Sequence, residues 1–204
     1  MVAERECVLC HTPEKYQDLE IARGQYWRIA LHESSHYSGR CLIILNRHIE
    51  GAFVNTTDEE NTELRMIARS LELAARRTFG ASSFNYASLE NEAHHAHWHF
   101  IPRYQVPFVW GLLFHIDEAQ GKNYAPYPKE EKLVGRERQM TVVAVKQEFS
   151  FAWQELYGET GYPFPEIVPN TDPESQWLEE VRKPAKGRDF SYYGSDGLVR
   201  YPTE

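Results

Sequence analysis

Apolar and polar positions in the first half of the chain alternate with the period of a strand, then of a helix, then of a strand again. Residues 25–34 and 39–48 are rich in β-branched and aromatic side chains and predict two strands. Residues 57–80 repeat apolar side chains at helical spacing, and residues 82–90 and 94–104 regain strand character. This order predicts an α+β fold, in which the helix covers one side of an antiparallel sheet.

The helix predicted at 57–80 carries signals at both ends. Thr57 and Glu60 form the pattern of a capping box, in which each side chain can bind the backbone N–H of the other residue. Gly80 supplies the stop, because glycine readily adopts the left-handed conformation that ends many helices.

The second half of the chain differs in composition, since proline, glycine, tyrosine and tryptophan become frequent after residue 104. We therefore predict a domain at 1–104 and an extension at 105–204 that packs on it. A second helix is expected over roughly 137–157. The remainder is rich in proline and too aromatic for a disordered tail, so it is expected to pack on the first half or on a partner.

Four histidines fall within six positions of one predicted strand, at His94, His95, His97 and His99. A strand points alternate side chains to opposite faces, so the last three are expected in a row, roughly 6.6 Å apart, opposite the apolar side chains. Valine or threonine would suit a strand better, which favours a chemical role. The central His97 suits attack of a neutral imidazole on phosphorus. A histidine-rich surface strand with nonspecific metal binding is the alternative.

Charge and composition argue against several functional classes. The net charge of −8 does not suit nucleic-acid binding through bulk electrostatics. No apolar run approaches the length of a membrane span, and residues 1–16 lack the apolar core of a signal peptide. We expect a cytoplasmic protein with neither a nucleic-acid nor a membrane partner.

The three cysteines do not form an even disulfide framework, and Cys7 and Cys10 are spaced as Cys-x-x-Cys. This spacing indicates metal or redox chemistry, but the βαβ setting of a redox pair is not evident. A pair of free thiols is the alternative. Cys41, inside a predicted strand, is expected in the core.

The segment HAHWHFIPR at 95–103 resembles the signature of the histidine triad (HIT) superfamily, and residues 5–104 follow the order of elements in that family. The resemblance implies that His97 is the nucleophile on the α-phosphate of a nucleotide. It implies that His99 contacts the same phosphate and that Asn85 supports the nucleotide site.

The Cys-x-x-Cys pair resembles the zinc-containing branch of the superfamily, which includes diadenosine tetraphosphate hydrolases and hexose-phosphate uridylyltransferases. By this resemblance the zinc ligands are Cys7, Cys10, His48 and His95. Four protein ligands close a tetrahedral zinc site, so the zinc is expected to be structural.

Several positions depart from the family pattern. Arg40 stands where many HIT hydrolases have a histidine, and it is either a phosphate contact or a surface residue at a strand start. His32 stands where the family often has an acidic or amide residue that touches the ribose. Asn91 and Glu92 replace a Gly-Gln-Ser/Thr loop, and an acid near a phosphate is unexpected.

The resemblance implies an enzyme that works through a covalent nucleotidyl-histidine. We expect a nucleotide hydrolase that acts on a dinucleoside polyphosphate or an adenylylated small molecule. The alternatives are a nucleotidyltransferase or phosphorylase, in which phosphate or a sugar phosphate replaces water, and a nucleotide-binding regulatory protein with low turnover. Family members commonly form two-fold dimers, so a homodimer is expected.

Overall fold

The architecture is α+β, as predicted, with a six-stranded antiparallel sheet, a separate two-stranded hairpin and two packed helices. The computed structural model describes residues 7–34, 36–110, 113–125 and 132–170. In chain order the elements are β1 (Glu20–Arg23), β2 (Trp27–Leu31), β3 (Cys41–Leu45), α1 (Asp58–Phe79), β4 (Ser83–Ala87), β5 (His97–Arg103), β6 (Phe108–Trp110), β7 (Leu113–His115), α2 (Gly135–Tyr157) and β8 (Glu166–Ile167). The main sheet has the order β4–β5–β3–β2–β1–β8, and β6 pairs with β7 in a separate hairpin.

The core lies on the side of the sheet that faces the helices. Alternate residues of β2 and β3 are at most 2% exposed: Trp27, Ile29, Leu31, Cys41, Ile43 and Leu45. Helix α1 packs against α2, and Ile67 of α1 and Phe149 of α2 join this cluster. Strand side chains alternate between faces, so every second residue of β2 and β3 enters the core.

Helix α1 begins and ends where its capping signals predict. The Thr57 side chain accepts from the Glu60 N–H, and the Glu60 carboxylate accepts from the Thr57 N–H. Gly80 ends the helix in the left-handed conformation, with φ of 74°. Local signals suffice here, because a cap is formed by residues adjacent in sequence.

The extension is tied to the sheet at two places. Helix α2 begins at Gly135, two residues before its predicted start. Just before it, the backbone N–H of Leu133 donates to the carbonyl of Glu33, which follows β2, at 2.8 Å. At the other end, β8 pairs with β1 along the edge of the sheet. Residues 171–204, which include most of the predicted aromatic arm, lie outside the described residues. Within the described part of the chain, neither helix combines the length and apolar character that crossing a bilayer requires.

The sequence missed three features of the sheet. Strands β1 and β8 were not predicted, since they have four and two residues and carry little periodic signal. The strand predicted at 94–104 is shorter in the structure, and His95 precedes its first residue. The pairing of β6 with β7 is the third feature.

A buried carboxylate joins α1 to the turn between β1 and β2. Glu63, which is 1% exposed, accepts three backbone N–H groups, from Gln25 at 2.8 Å, Tyr26 at 2.6 Å and Trp27 at 3.0 Å. A Cβ at Gly24 would lie 2.6 Å from a Glu63 carboxylate oxygen, so glycine is needed there. The turn and the helix therefore hold each other in place.

We predict that Glu63→Gln lowers the free energy of unfolding by about 2 kcal/mol, because an amide NH₂ then faces buried N–H donors. Urea unfolding followed by tryptophan fluorescence measures the change. Glu159→Gln, at an exposed carboxylate after α2, is the control and should have little effect. Equal stability of the Glu63 variant and the wild type would contradict the assigned role.

Candidate active site and metal-ligand cluster

The face of the sheet opposite the helices carries the histidines of β5. Strand register pairs His97 with Ile44 and His99 with Leu42 of β3, so the two histidines share one face. Their ring centroids lie 5.1 Å apart in an edge-to-face arrangement. His97 is nearly buried, at 6% exposure, and His99 is half-buried.

One hydrogen bond fixes the tautomer of His97. Its Nδ1 lies 2.7 Å from the backbone carbonyl oxygen of His95. A carbonyl oxygen can only accept, so Nδ1 must carry the proton and donate it. In the neutral ring Nε2 then carries the free lone pair, which a nucleophile or a metal ligand needs.

A guanidinium fixes the tautomer of His99 in the opposite sense. Nη2 of Arg40 donates to Nδ1 of His99 at 3.2 Å, so in the neutral ring the proton sits on Nε2. Burial, Arg40 and His97 together lower the pKa of His99 to about 3. His99 is therefore a neutral hydrogen-bond donor near pH 7. Arg40 itself is 3% exposed, so the alternative of a surface residue is wrong, and its guanidinium contacts the triad.

His32 extends the same arrangement along β2. Its Nδ1 accepts the backbone N–H of Ser34 at 3.0 Å, and its ring centroid lies 6.2 Å from that of His99. Burial, followed by the charge of Arg40, lowers the pKa of His32 to about 3. This ring is also neutral with its proton on Nε2. It can therefore donate a hydrogen bond at a position where an acidic residue would accept one.

Four side chains from distant parts of the chain converge into a cluster that can hold a metal ion. The ligand atoms of Cys7, Cys10, His48 and His95 all lie within 4.8 Å of one another. The Cys10 sulfur is 3.2 Å from Nδ1 of His48 and 3.3 Å from Nδ1 of His95, and these two nitrogens are 3.2 Å apart. Tetrahedral zinc, with nitrogen at about 2.0 Å and sulfur at about 2.3 Å, would separate its ligand atoms by roughly 3.3 to 3.8 Å.

The orientation of His95 fits the cluster. Its Nε2 lies 2.7 Å from the Leu45 carbonyl and must donate to it, which leaves the Nδ1 lone pair directed at the sulfurs. Such a second hydrogen bond is usual for a histidine that binds a metal. Two cysteine sulfurs and two imidazole nitrogens are donors that suit zinc. The spacing and the donor chemistry therefore both fit that ion.

Asn85 lies on the same face of the sheet as the histidines. It pairs directly with Ile101 of β5, two positions beyond His99. Its Oδ1 accepts a hydrogen bond from Nη1 of Arg103 at 2.7 Å. The sequence did not single out Arg103, whose importance appears only when β4 and β5 are paired.

Glu90 is a second residue that sequence reasoning missed. Asn91 and Glu92, which replace the Gly-Gln-Ser/Thr loop of the family, are both exposed. The Glu90 carboxylate instead accepts the backbone N–H groups of Gly51 and Ala52, at 2.7 and 2.8 Å. Its φ of 49° is rare for a residue other than glycine. These backbone hydrogen bonds, with help from His97, keep the pKa of Glu90 below its usual value despite burial.

A cavity of about 700 Å³ lies between β1 and α2 and reaches the cluster at Cys10. Arg28, Glu20 and Lys146 are among the residues that line it, whereas His97 and His99 do not. The two histidines of β5 are therefore not part of this cavity.

The low pKa of His32 predicts a stability that declines with acid. Below pH 6.5 the unfolded chain takes up a proton at His32 that the folded chain excludes until about pH 3, so this contribution is present above pH 6.5 and is lost on acidification. Between pH 7 and pH 5 it should lower the free energy of unfolding by about 1 to 2 kcal/mol. His32→Asn should remove this part of the slope in urea unfolding. His94→Asn, at an exposed histidine, is the control, and equal slopes in all three proteins would contradict the assignment.

Comparison with solved structures relates the fold to known proteins. A histidine triad protein from Sinorhizobium meliloti is 14% identical, with a TM-score of 0.54, over 72% of this chain and 99% of that chain. A hypothetical histidine triad nucleotide-binding protein from Sulfolobus tokodaii is 13% identical, with a TM-score of 0.54, over 77% of this chain and 100% of that chain. A zinc-bound histidine triad family protein from Mycobacterium smegmatis is 16% identical, with a TM-score of 0.50, over 73% and 96%. At these identities the likeness shows the fold.

Sequence comparison finds a family model that is similar to the part of the chain that carries the site. A search of curated proteins found no match. Residues 16–106 match the family model described as HIT domain, and this range contains both triad histidines of β5 together with His48 and His95. Residues 16–106 are therefore similar in sequence to the HIT domain family, and the fold of the chain is similar to that of histidine triad proteins.

Proposed function

We propose that the protein is a nucleotide hydrolase that cleaves at the α-phosphate through a covalent nucleotidyl-histidine on His97. The observation that carries the proposal is the hydrogen bond from Nδ1 of His97 to the His95 carbonyl, at 2.7 Å. It keeps the proton on Nδ1 and leaves Nε2 as the attacking atom. The name of the Sulfolobus tokodaii neighbour, which describes nucleotide binding, supports the substrate class.

The chemical steps follow from the two tautomers. The Nε2 lone pair of His97 forms a bond to the α-phosphorus while the bond from phosphorus to the leaving oxygen breaks. Water then attacks the same phosphorus, and the P–N bond breaks to release the nucleoside monophosphate and restore His97. The charge that the ring gains in the intermediate is stabilised by the His95 carbonyl, which continues to accept from Nδ1.

His99 and Arg40 stabilise the charge on the phosphate. Nε2–H of His99 donates to a phosphate oxygen, while the guanidinium of Arg40 holds that ring in its donor tautomer. With a pKa of about 3, His99 does not supply an acidic proton near pH 7. This property favours leaving groups that depart as stable anions, so a dinucleoside polyphosphate is the preferred substrate within the class.

The proposal extends to partners and setting. The proposed substrate of the protein is a small nucleotide, because the chain's net charge of −8 does not suit binding of a nucleic acid. A homodimer and a cytoplasmic setting are proposed on the resemblance to the HIT superfamily.

We predict that His97→Ala lowers turnover of diadenosine tetraphosphate by several orders of magnitude, the scale seen when a nucleophile is deleted. Binding of AMP should persist, because the variant removes only the attacking ring. Mass spectrometry of the products, with and without added phosphate, identifies the acceptor. An acid-labile nucleotidyl adduct on His97 should appear in quenched wild-type samples.

Two results would contradict the role assignment. One is substantial activity in His97→Ala together with its loss in His99→Ala. The other is the absence of any adduct on His97 at every quench time, which would remove the covalent mechanism. ADP as a product only when phosphate is added would indicate a phosphorylase.

We also propose that Cys7, Cys10, His48 and His95 bind one structural zinc ion. When bound, zinc would cross-link the N-terminal segment to the residues that precede the nucleophile, and four protein ligands would leave no open position for substrate. The ligand spacing and the Nε2 hydrogen bond of His95 support this proposal. The structure of the Mycobacterium smegmatis neighbour is zinc-bound, which is consistent with this proposal.

We predict near-stoichiometric zinc in the purified protein by elemental analysis. Cys7→Ser and His95→Ala should each lose zinc and thermal stability together, because metal binding is coupled to folding. His94→Ala is the matched control, since His94 is the exposed neighbour of a proposed ligand and should retain both. Fully titratable Cys7 and Cys10 thiols in metal-free, stable protein would refute the site.

A further inference from the structure

We infer that Arg103 is a positioning residue that turns the side-chain amide of Asn85 so that its NH₂ group faces the nucleotide. Asp117, which lies in the extension beyond residue 104, holds Arg103 in the required orientation. This inference rests on the proposed function, because it assigns a specific task within the same nucleotide site.

All five N–H groups of the Arg103 guanidinium have acceptors. Nε and Nη2 bind the two carboxylate oxygens of Asp117, at 2.7 and 3.1 Å. Nη2 also donates to the Ala119 carbonyl, and Nη1 donates to the Lys122 carbonyl at 3.2 Å. The fifth donor, also on Nη1, binds Oδ1 of Asn85 at 2.7 Å. With every donor committed, the guanidinium has one orientation.

This orientation decides which end of the Asn85 amide is available. A guanidinium can only donate, so the atom that faces Arg103 must be the amide oxygen. Nδ2 of Asn85 makes no hydrogen bond to any other described residue, and the side chain is half-buried. Two N–H donors therefore remain for a ligand, which suits a phosphate or ribose oxygen.

Strand register places those donors beside the triad. Asn85 pairs with Ile101, His99 pairs with Ala87, and Arg103 pairs with Ser83. Asn85 is thus the diagonal neighbour of His99 on one side and of Arg103 on the other, and such neighbours on one face lie roughly 7 to 8 Å apart. A ligand that contacts His99 is within reach of the Asn85 amide.

The ion pair is placed where stability alone gives little reason for it. The side chains of Arg103 and Asp117 are 3% and 0% exposed. Packed apolar residues often stabilise such a position as well as a buried ion pair does, because the charges lose their hydration. An apolar pair, however, could not form a hydrogen bond to the side-chain amide of Asn85. Orienting that amide requires a donor held in a fixed position.

The test is a double-mutant cycle of Arg103→Lys and Asn85→Ala, with AMP binding by calorimetry and kcat/KM for diadenosine tetraphosphate as readouts. Each single variant should lower kcat/KM about tenfold or more, and Arg103→Lys should change it less than twofold in the Asn85→Ala background. Urea unfolding should instead show the same loss of stability from Arg103→Lys in both backgrounds. Arg76→Lys is the matched control, because Arg76 donates to the Ala81 and Ser82 carbonyls nearby and should leave both functional readouts unchanged.

Asn85→Asp keeps the test decisive if Arg103→Lys does not fold. Asp retains the acceptor for Arg103 but presents an oxygen in place of the NH₂ group, so this variant should fold well and still weaken AMP binding at least tenfold.

The outcomes separate the two proposals. Two results would overturn the positioning role while leaving the proposed function intact. One is an equal decrease in kcat/KM from Arg103→Lys in both backgrounds, and the other is AMP binding by Asn85→Asp that equals that of the wild type. A wild-type protein that neither binds AMP nor turns over the dinucleotide would refute the proposed function and this inference with it.

Discussion

The position of His95 is the constraint on which the rest of the site depends. Its Nε2 is held by the Leu45 carbonyl at the end of β3, and its Nδ1 lies among the sulfurs and the nitrogen of the metal-ligand cluster. Its own carbonyl fixes the tautomer of His97. One residue thus connects the sheet, the cluster and the proposed nucleophile.

The histidine face works with neutral rings in an acidic chain. Burial and the charge of Arg40 lower the pKa values of His32 and His99 to about 3, so the rings donate hydrogen bonds without carrying charge. Arg40 supplies a fixed cation beside them. This face therefore presents hydrogen-bond donors that need no protonation to the proposed nucleotide, and their donor strength should change little across neutral pH.

The extension contributes to the fold and borders the site. Helix α2 adds Val145, Phe149 and Trp153 to the core against α1. Asp117, at the end of the β6–β7 hairpin, forms the buried pair with Arg103 that reaches Asn85. The HIT domain match at residues 16–106 ends before Asp117, so part of the shell around the candidate site comes from outside the matched range.

The sequence by itself determined the features that local chemistry controls. The capped helix α1 and the histidine pattern of β5, which places the histidines opposite the apolar side chains, both follow from residues close together in the chain. The ligand set Cys7, Cys10, His48 and His95 came from a resemblance to known proteins. What only the tertiary structure decided are contacts between residues far apart in sequence: Glu63 with the β1–β2 turn, Arg40 with His99, Glu90 with Gly51, and Asp117 with Arg103. The partner of a buried charge comes from the element that packs nearest to it, and strand order and register decide which element that is. Periodicity in the sequence therefore does not predict these partners.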